Sequence, residues 1–323
     1  MSNNHAPPNL AARGALRDDL HLPDWRRLQH DDARGLAAAA SDLGCVFPTP
    51  EEGFEEDENF IYLPVSVLIR PPYGREGEEE MRQETIVFAL GEDSLVTLEP
   101  RGGYAPFNRA PQILKRRPDM SRGAHGIMYA LLQATNSAGH QIVEYASTAL
   151  EQMNTQIHAV TAGVDADGRE VTSDDIAQSL NDLNQKEELI SRIQEGQLLL
   201  ERAARYLRLE ADASEGSLRE QLDMLISDIG SVKEHAGFEH DKVRYLQQSV
   251  TASLNAKQNQ VVKVFTIITA VFLPPTLIAS LYGMNFAVMP ELSWEWGFTV
   301  TIGMTLGAAL LPLWYIKRKG WLR

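Results

Sequence analysis

Two long charge-free windows on the carboxyl-terminal side constrain this chain more than any other feature. Between Lys263 and Glu291 no Asp, Glu, Lys or Arg occurs, and the window contains VFTIITAVFLPPTLIASLYG. The second, WGFTVTIGMTLGAALLPLWYI at 296–316, lies between Glu295 and Lys317-Arg318-Lys319. A bilayer core is crossed by about 20 apolar helical residues, so each window is long enough to span. Two buried core helices are the alternative, but tandem windows rimmed by basic residues fit membrane helices better. Bulk numbers hide this: 44 acidic residues against 30 basic ones give a formal charge of -14. The mean hydropathy of -0.24 is that of an ordinary soluble protein.

Charge also orients the pair. Lys257 and Lys263 precede the first span, and Lys317, Arg318, Lys319 and Arg323 follow the second. The loop between them holds Glu291 and Glu295 and no basic residue. The positive-inside rule then places both termini in the cytoplasm and the loop outside. Trp294, Trp296, Trp314, Tyr315 and Trp321 supply interfacial rings. The amino terminus, MSNNHAPPNLAARGAL, lacks an apolar core long enough for a signal peptide. Cys45 is the single cysteine, which excludes an intrachain disulfide and fits a reducing compartment. Acidic runs such as Glu55-Glu56-Asp57-Glu58 and Glu78-Glu79-Glu80 repel nucleic acid, and each taken alone reads as a solvated loop.

The amino-terminal part reads as a layered α/β domain. IYLPVSVLI (61–69) has the composition of a buried strand, and ETIVFAL (84–90) and SLVTLEP (94–100) flank a Gly91-Glu92-Asp93 turn as a hairpin. Residues 1–35 are mixed, and GLAAAASDLG from Gly35 is helix-compatible. From Gly126 the apolar period becomes helical, with one helix to about Val160, a Gly/Asp-rich loop, and a second at about 175–209. The sequence turns helical again from Ser217, with Gly230 and Gly237 as interruptions. The last unbroken helix is therefore placed at about His240–Leu281, too long for a bilayer alone and hence a stalk. The expected divisions are an α/β domain at 1–120, a helical region at 121–235, and the stalk with the first span at 236–281. A loop at 282–295, the second span at 296–316 and a basic tail at 317–323 complete the chain.

No GxGxxG, GxxxxGK or HExxH element occurs, so dinucleotide, P-loop and zinc-hydrolase chemistry have no support and the chain is not read as an enzyme. His125, His140, His158, His235 and His240 show no ligand pattern in the sequence. His235 and His240, five apart, point away from each other on a helix and read as unrelated surface residues.

The first span is polar along one side. Asn255, Asn259, Val262, Thr266, Thr269, Leu273, Thr276 and Ser280 succeed one another at spacings of four and three and form one stripe. Such a row either lines water or joins helices, and the pattern alone leaves both open. If it lines water, several copies must stand around an axis. Within the same helix Pro274 and Pro275 free the carbonyls of Ala270 and Val271 for threonine hydroxyls, water or a bend.

The stretch YGMNFAVMPEL, followed by a second span and KRKGWL, resembles the CorA superfamily of divalent-cation transporters, and GMNF with MPEL is similar to its magnesium-type branch. NQVVKVFTIITAVFLPPTLIASLYGMN is similar to the family's pore helix. The resemblance implies a homopentameric funnel in a bacterial inner membrane: a cytoplasmic α/β domain, then a long stalk helix and a two-helix transmembrane domain. It implies transport of Mg2+, with cobalt or nickel as further ions, and no cofactor. The alternative is zinc transport of the ZntB type, with or without proton coupling.

By the same resemblance Gly283, Met284 and Asn285 form the selectivity mouth, and Asn259, Val262, Phe265, Thr269, Leu273 and Thr276 line the pore. Of these pore-lining residues all but Phe265 lie on the stripe. Neutral amide oxygens at Asn285 suit an ion that dehydrates reluctantly, and Phe265 and Leu273 are candidates for a hydrophobic constriction. Glu291 and Glu295 would concentrate cations outside. Ala287 stands where the magnesium-type pattern commonly has an acidic residue, and CVFPTPEEGFEEDENF departs from the family's regular helical segment. Asp223 falls near the position where relatives hold a regulatory ion.

Overall fold

In ETIVFAL alternate residues go to opposite sides, as the period of two of a strand requires. Ile86, Phe88 and Leu90 join one apolar cluster, and Val87 and Ala89 join another. The sheet is therefore buried on both faces. The structure, a computed structural model, describes residues 24–48, 55–69, 81–116, 123–162, 172–211, 216–285, 289 and 293–320. It divides into two compact units, Met1–Gln248 and Ser249–Arg323.

In the first unit the strands are β1 (Trp25–Gln29), β2 (Glu55–Glu56), β3 (Ile61–Ile69), β4 (Arg82–Leu90) and β5 (Leu95–Glu99). Their order is β1-β5-β4-β3-β2, antiparallel except that β1 runs parallel to β5. The hairpin expected around Gly91 is β4–β5, closed by Gly91 N–H donating to the Ser94 carbonyl at 2.8 Å. Strand β2 covers only Tyr62 and Ile61, so Pro64, which has no N–H to give, falls where β3 is already an edge. Helix α1 (Ala33–Leu43) covers one face, adding Ala39 and Leu36 to a cluster with Leu28, Cys45, Tyr62 and Val96. On the other face lie a 3-10 turn (Ala105–Arg109), α2 (Ala110–Lys115) and the long helices α3 (Ala124–Ala162), α4 (Ser173–Glu210) and α5 (Gly216–Tyr282).

Strand β1 is held to β5 by a buried polar knot. Glu99, 1% exposed, accepts two hydrogen bonds from the Arg27 guanidinium, each 2.7 Å, and one from Tyr104 N–H at 2.8 Å. Thr97 accepts from the Trp25 indole at 3.0 Å and donates to Glu99 at 3.2 Å. Both carboxylate oxygens are thus engaged twice, which makes the burial of Glu99 tolerable. Strand β1 was not anticipated from the sequence, because WRRLQ has charges where an edge-strand alternation would be sought.

The helical layer is knit by a seam on α5. Leu218, Leu222, Leu225, Ile229, Val232, Ala236, Val243, Leu246 and Val250 are buried at alternating spacings of four and three, and Glu239 fills the gap in that series. Across it, Lys233 bonds Glu201 and Gln247 bonds Asn184 and Glu187 of α4. The Lys233 hydrogen bond holds the Glu201 carboxyl below its usual range, against the opposing effect of burial. The N-terminus of α4 is closed by a capping box between Thr172 and Asp175. Helix α4 crosses β3 at Gly196, where an added Cβ would stand 2.7 Å from the Ser66 carbonyl oxygen.

The expected break before His240 is not there. A single helix runs from Gly216, with Gly230 and Gly237 inside it, because the seam residues on either side of each glycine are buried and outweigh about 1 kcal/mol of propensity per glycine. The division placed at 235/236 is therefore not a backbone boundary. In the second unit, α5 continues to Tyr282 and α6 spans Gly297–Arg318. Both are long and apolar enough to cross a membrane.

Glu99→Ala should cost about 3 to 5 kcal/mol in denaturant unfolding, because Arg27 loses its buried partner. Gly196→Ala should cost about 1 to 3 kcal/mol by forcing α4 away from β3. Burial raises the Cys45 thiol from 9.0 to about 11, opposed by a hydrogen bond with Tyr62. A raised thiol favours the folded state fully below pH 9 and loses that contribution between pH 9 and about 11. Cys45 should therefore resist aqueous thiol reagents at about pH 8 until the domain is unfolded.

Candidate ion pathway

In the second unit α5 has two unlike faces. Lys263, Ile267, Ala270, Pro274 and Ile278 are half-buried, whereas Asn255, Asn259, Val262, Thr266, Thr269, Leu273, Thr276 and Ser280 are all exposed. The stripe read from the sequence is exposed, but so are Val261, Val264, Ile268, Phe272, Leu277 and Leu281 outside it, so exposure in one copy does not set the stripe apart from the rest of the helix. Phe265, 65% exposed, lies at the margin of the stripe beside Val262, 62% exposed. Thr269, Leu273, Thr276 and Ser280 share one open side of α5 with Ile268, Phe272 and Leu277.

Each threonine here donates its hydroxyl proton to its own helix. Thr266 bonds the Val262 carbonyl at 2.8 Å, Thr269 the Phe265 carbonyl at 2.9 Å, and Thr276 the Phe272 carbonyl at 2.7 Å. A hydroxyl has one proton and two lone pairs. With the proton spent on the backbone, the oxygens present lone pairs outward, and none of the three bonds goes to Ala270 or Val271, the carbonyls that the prolines release. The helix runs through Pro274 and Pro275 without interruption.

The helix ends at the GMN triplet. Gly283 N–H donates to the Ala279 carbonyl at 2.9 Å and Met284 N–H to the Leu281 carbonyl at 3.4 Å. Gly283 does not adopt positive φ; its need is closeness, since an added Cβ would lie 3.1 Å from the Ala279 oxygen. Met284 and Asn285 are exposed just beyond the last turn. Glu295 is exposed ahead of α6, and Glu291, like Ala287, lies outside the described residues. At the far end of α6, Arg318 stacks over Trp314 and Lys319 over Tyr315, pairing the basic flank with the interfacial rings.

Asp223 belongs to the first unit. Its two carboxylate oxygens are taken by Arg208 of α4, Nε on one and Nη2 on the other at 3.1 Å, and the pairing raises the Arg208 pKa. A cation there must compete with a guanidinium. His235 and His240 face different partners, Glu144 and Glu239 for the first and Glu187 for the second, so they do not share a site.

The model of the CorA-like Mg2+ transporter proteins matches residues 38–318, which include both long apolar helices and the GMN triplet between them. The chain belongs to that family. Membership makes it a membrane transporter rather than an enzyme, with two membrane-spanning helices. Among curated relatives, the magnesium transport protein CorA of Wolinella succinogenes is 27% identical over 92% of this chain and 91% of its own length. That of Yersinia pseudotuberculosis is 29% identical over 94% of each. Among solved structures, the complete CorA magnesium transporter of Methanocaldococcus jannaschii matches with a TM-score of 0.68 at 16% identity, over 92% of this chain and 90% of that one. The full-length CmaX protein matches with a TM-score of 0.58 at 16% identity, over 94% and 90%. These two likenesses establish the CorA fold: a mixed-sheet domain followed by long helices and two spans.

Because the Arg208–Asp223 pair is exposed, Asp223→Ala should leave the midpoint of denaturant unfolding almost unmoved. Thr269→Val and Thr276→Val should leave the helical circular dichroism of the detergent-solubilised protein unchanged, since the hydroxyls bond carbonyls that already accept helical hydrogen bonds.

Proposed function

We propose that this chain transports magnesium through a pore formed by a ring of identical copies, five in number, each giving α5 to the inner wall and α6 to the outer. The observation that carries the proposal is the mainly polar row of side chains from Asn259 to Thr276, at spacings of four and three on the helix that leads into Gly283-Met284-Asn285, all of them exposed in a single copy. One copy has no second wall for that stripe, and polar groups facing hydrocarbon are costly. A ring of copies turns the cost into a water-lined path. Exposed Phe238 and Tyr245 of α5 and Leu198 and Leu209 of α4 offer apolar surface for the same association. Both termini and the first unit lie on the cytoplasmic side, by the distribution of lysine and arginine.

In this reading Asn285, with Gly283 and Met284, forms the mouth. Its amide oxygens accept hydrogen bonds from water held by the ion, so Mg2+ enters with its shell largely intact. Asn259 repeats that chemistry at the cytoplasmic end, and the threonine oxygens do so between. Val262, Phe265 and Leu273 narrow the path with apolar surface that gates by dewetting. Glu291 and Glu295 gather cations at the outer entrance. Magnesium is favoured over zinc by the family's description and by the relatives' names. Asp223 is a regulatory cation ligand only when Arg208 is displaced.

Reconstituted vesicles loaded with a magnesium indicator test the reading. Magnesium entry should follow membrane potential and fall at least tenfold in Asn285→Ala. Zinc entry without magnesium entry would move the chain to the zinc branch, and no flux of either ion would overturn transport. For the regulatory role, Arg208→Ala should lower the internal magnesium concentration that half-inhibits flux, and Asp223→Ala should raise it. Identical inhibition in both variants dismisses Asp223.

A further inference from the structure

Three side chains distant in sequence meet on the helical side of the first unit. His140 and Glu144 stand four apart on α3 and share a face, and His235 comes from α5. One ligand-capable atom from each lies within 4.8 Å of the other two. The His235 ring stands between two carboxylates, with Nδ1 4.0 Å from Glu144 Oε1 and Nε2 3.6 Å from Glu239 Oε1. Glu239 is the charged residue in the apolar seam of α5 and is 2% exposed. Its Oε1 accepts from the Ser147 hydroxyl at 2.8 Å, and its Oε2 lies 3.4 Å from Lys242 Nζ with no hydrogen-bond partner. A carboxylate in that position is costly to bury, and Ser147 and Lys242 satisfy it only in part.

We propose that His140, Glu144 and His235 bind a first-row divalent transition-metal ion of the Zn2+ or Co2+ type, with Glu239 as the positioning carboxylate behind His235. Two imidazole nitrogens and one carboxylate oxygen suit such ions, whereas Mg2+ prefers oxygen ligands and retains its water. A metal-bound histidine usually donates its other N–H to a carboxylate, which fixes the tautomer and the ring. Glu239 Oε1, 3.6 Å from Nε2, is close enough for a small rotation of the His235 ring to bring that N–H into hydrogen-bond range, which leaves Nδ1, the nitrogen facing Glu144, for the ion. Metal–ligand bonds of about 2.0–2.1 Å place tetrahedral ligand atoms about 3.3 Å apart. The present spacing closes to that by small side-chain rotations, for which the exposed His140 and Glu144 have room. Water takes the fourth position. The site joins α3 to α5 and uses a different donor chemistry from the amide and hydroxyl oxygens of the ion pathway.

Co2+ titration of the full chain in detergent, followed by visible ligand-field absorption in a large excess of Mg2+, tests the site. One Co2+ per chain should bind with the intense bands of four-coordinate cobalt, and Zn2+ should displace it. Glu239→Gln should weaken binding by about 10- to 100-fold, and His140→Ala and His235→Ala by at least as much. Asn285→Ala should leave the bands in place, which separates this site from the pore mouth. His140 is exposed, so its replacement should not alter the melting temperature of the metal-free protein, and Zn2+ should raise that temperature only when His140 is present. Unchanged Co2+ affinity in both histidine variants, six-coordinate spectra alone, or displacement by Mg2+ would overturn the proposal.

Discussion

Helix α5 has to satisfy two solvents with one hydrogen-bond ladder, and most of the structure depends on that requirement. Up to Val250 its buried residues repeat at four and three, the period of a helix packed against other helices in water. Beyond Lys263 it carries the charge-free window that crosses the membrane, where lipid offers no hydrogen bonds and a helix meets the backbone's need internally. The same helix serves in both, short only of the two backbone bonds that Pro274 and Pro275 cannot make. What changes along it is the side chain on each face: leucine and isoleucine in the seam, then asparagine and threonine on the stripe.

The first unit gives α5 a fixed neighbour through its sheet. The knot of Arg27, Glu99, Thr97 and Trp25 ties an edge strand to β5, and the apolar face of that sheet supplies Leu63, Ile86 and Phe88 to the cluster in which Leu218, Leu222 and Leu225 lie. Trp25 belongs to both, giving its indole N–H to Thr97 and its ring to the apolar cluster. Gly196 lets α4 come close enough to β3 for the two to be continuous.

Strands β3, β4 and β5 were legible because their apolar runs end at turn residues, and the two spans because charge is absent from them. The stripe on α5 is a pattern of spacing in the sequence, and a single copy leaves its residues exposed together with their apolar neighbours. Strand β1 was not legible, since its stability comes from a parallel partner distant in sequence and from a charge pair rather than from alternation. The start of α5 was misplaced because glycine propensity is a local quantity and the seam that overrides it is tertiary. The His140–Glu144–His235 cluster was illegible for a related reason: each helix contributes an incomplete ligand set, and only the packing of α3 on α5 brings the third donor in. A buried Glu239 in a register otherwise filled by Leu, Ile, Val and Ala was the one signal the sequence offered, and it is visible only once that register is known.

The back-bonded threonines have a consequence for charge selection. Thr266, Thr269 and Thr276 have each committed their proton to a carbonyl one turn earlier. A chloride or sulfate ion passing that segment meets oxygen lone pairs and no hydroxyl proton to solvate it, while a hydrated cation turns water hydrogens toward the same oxygens. In the proposed conduit such a wall would offer a bare anion no hydroxyl proton along its middle, and it would do so by the direction of three side-chain protons and without a formal charge.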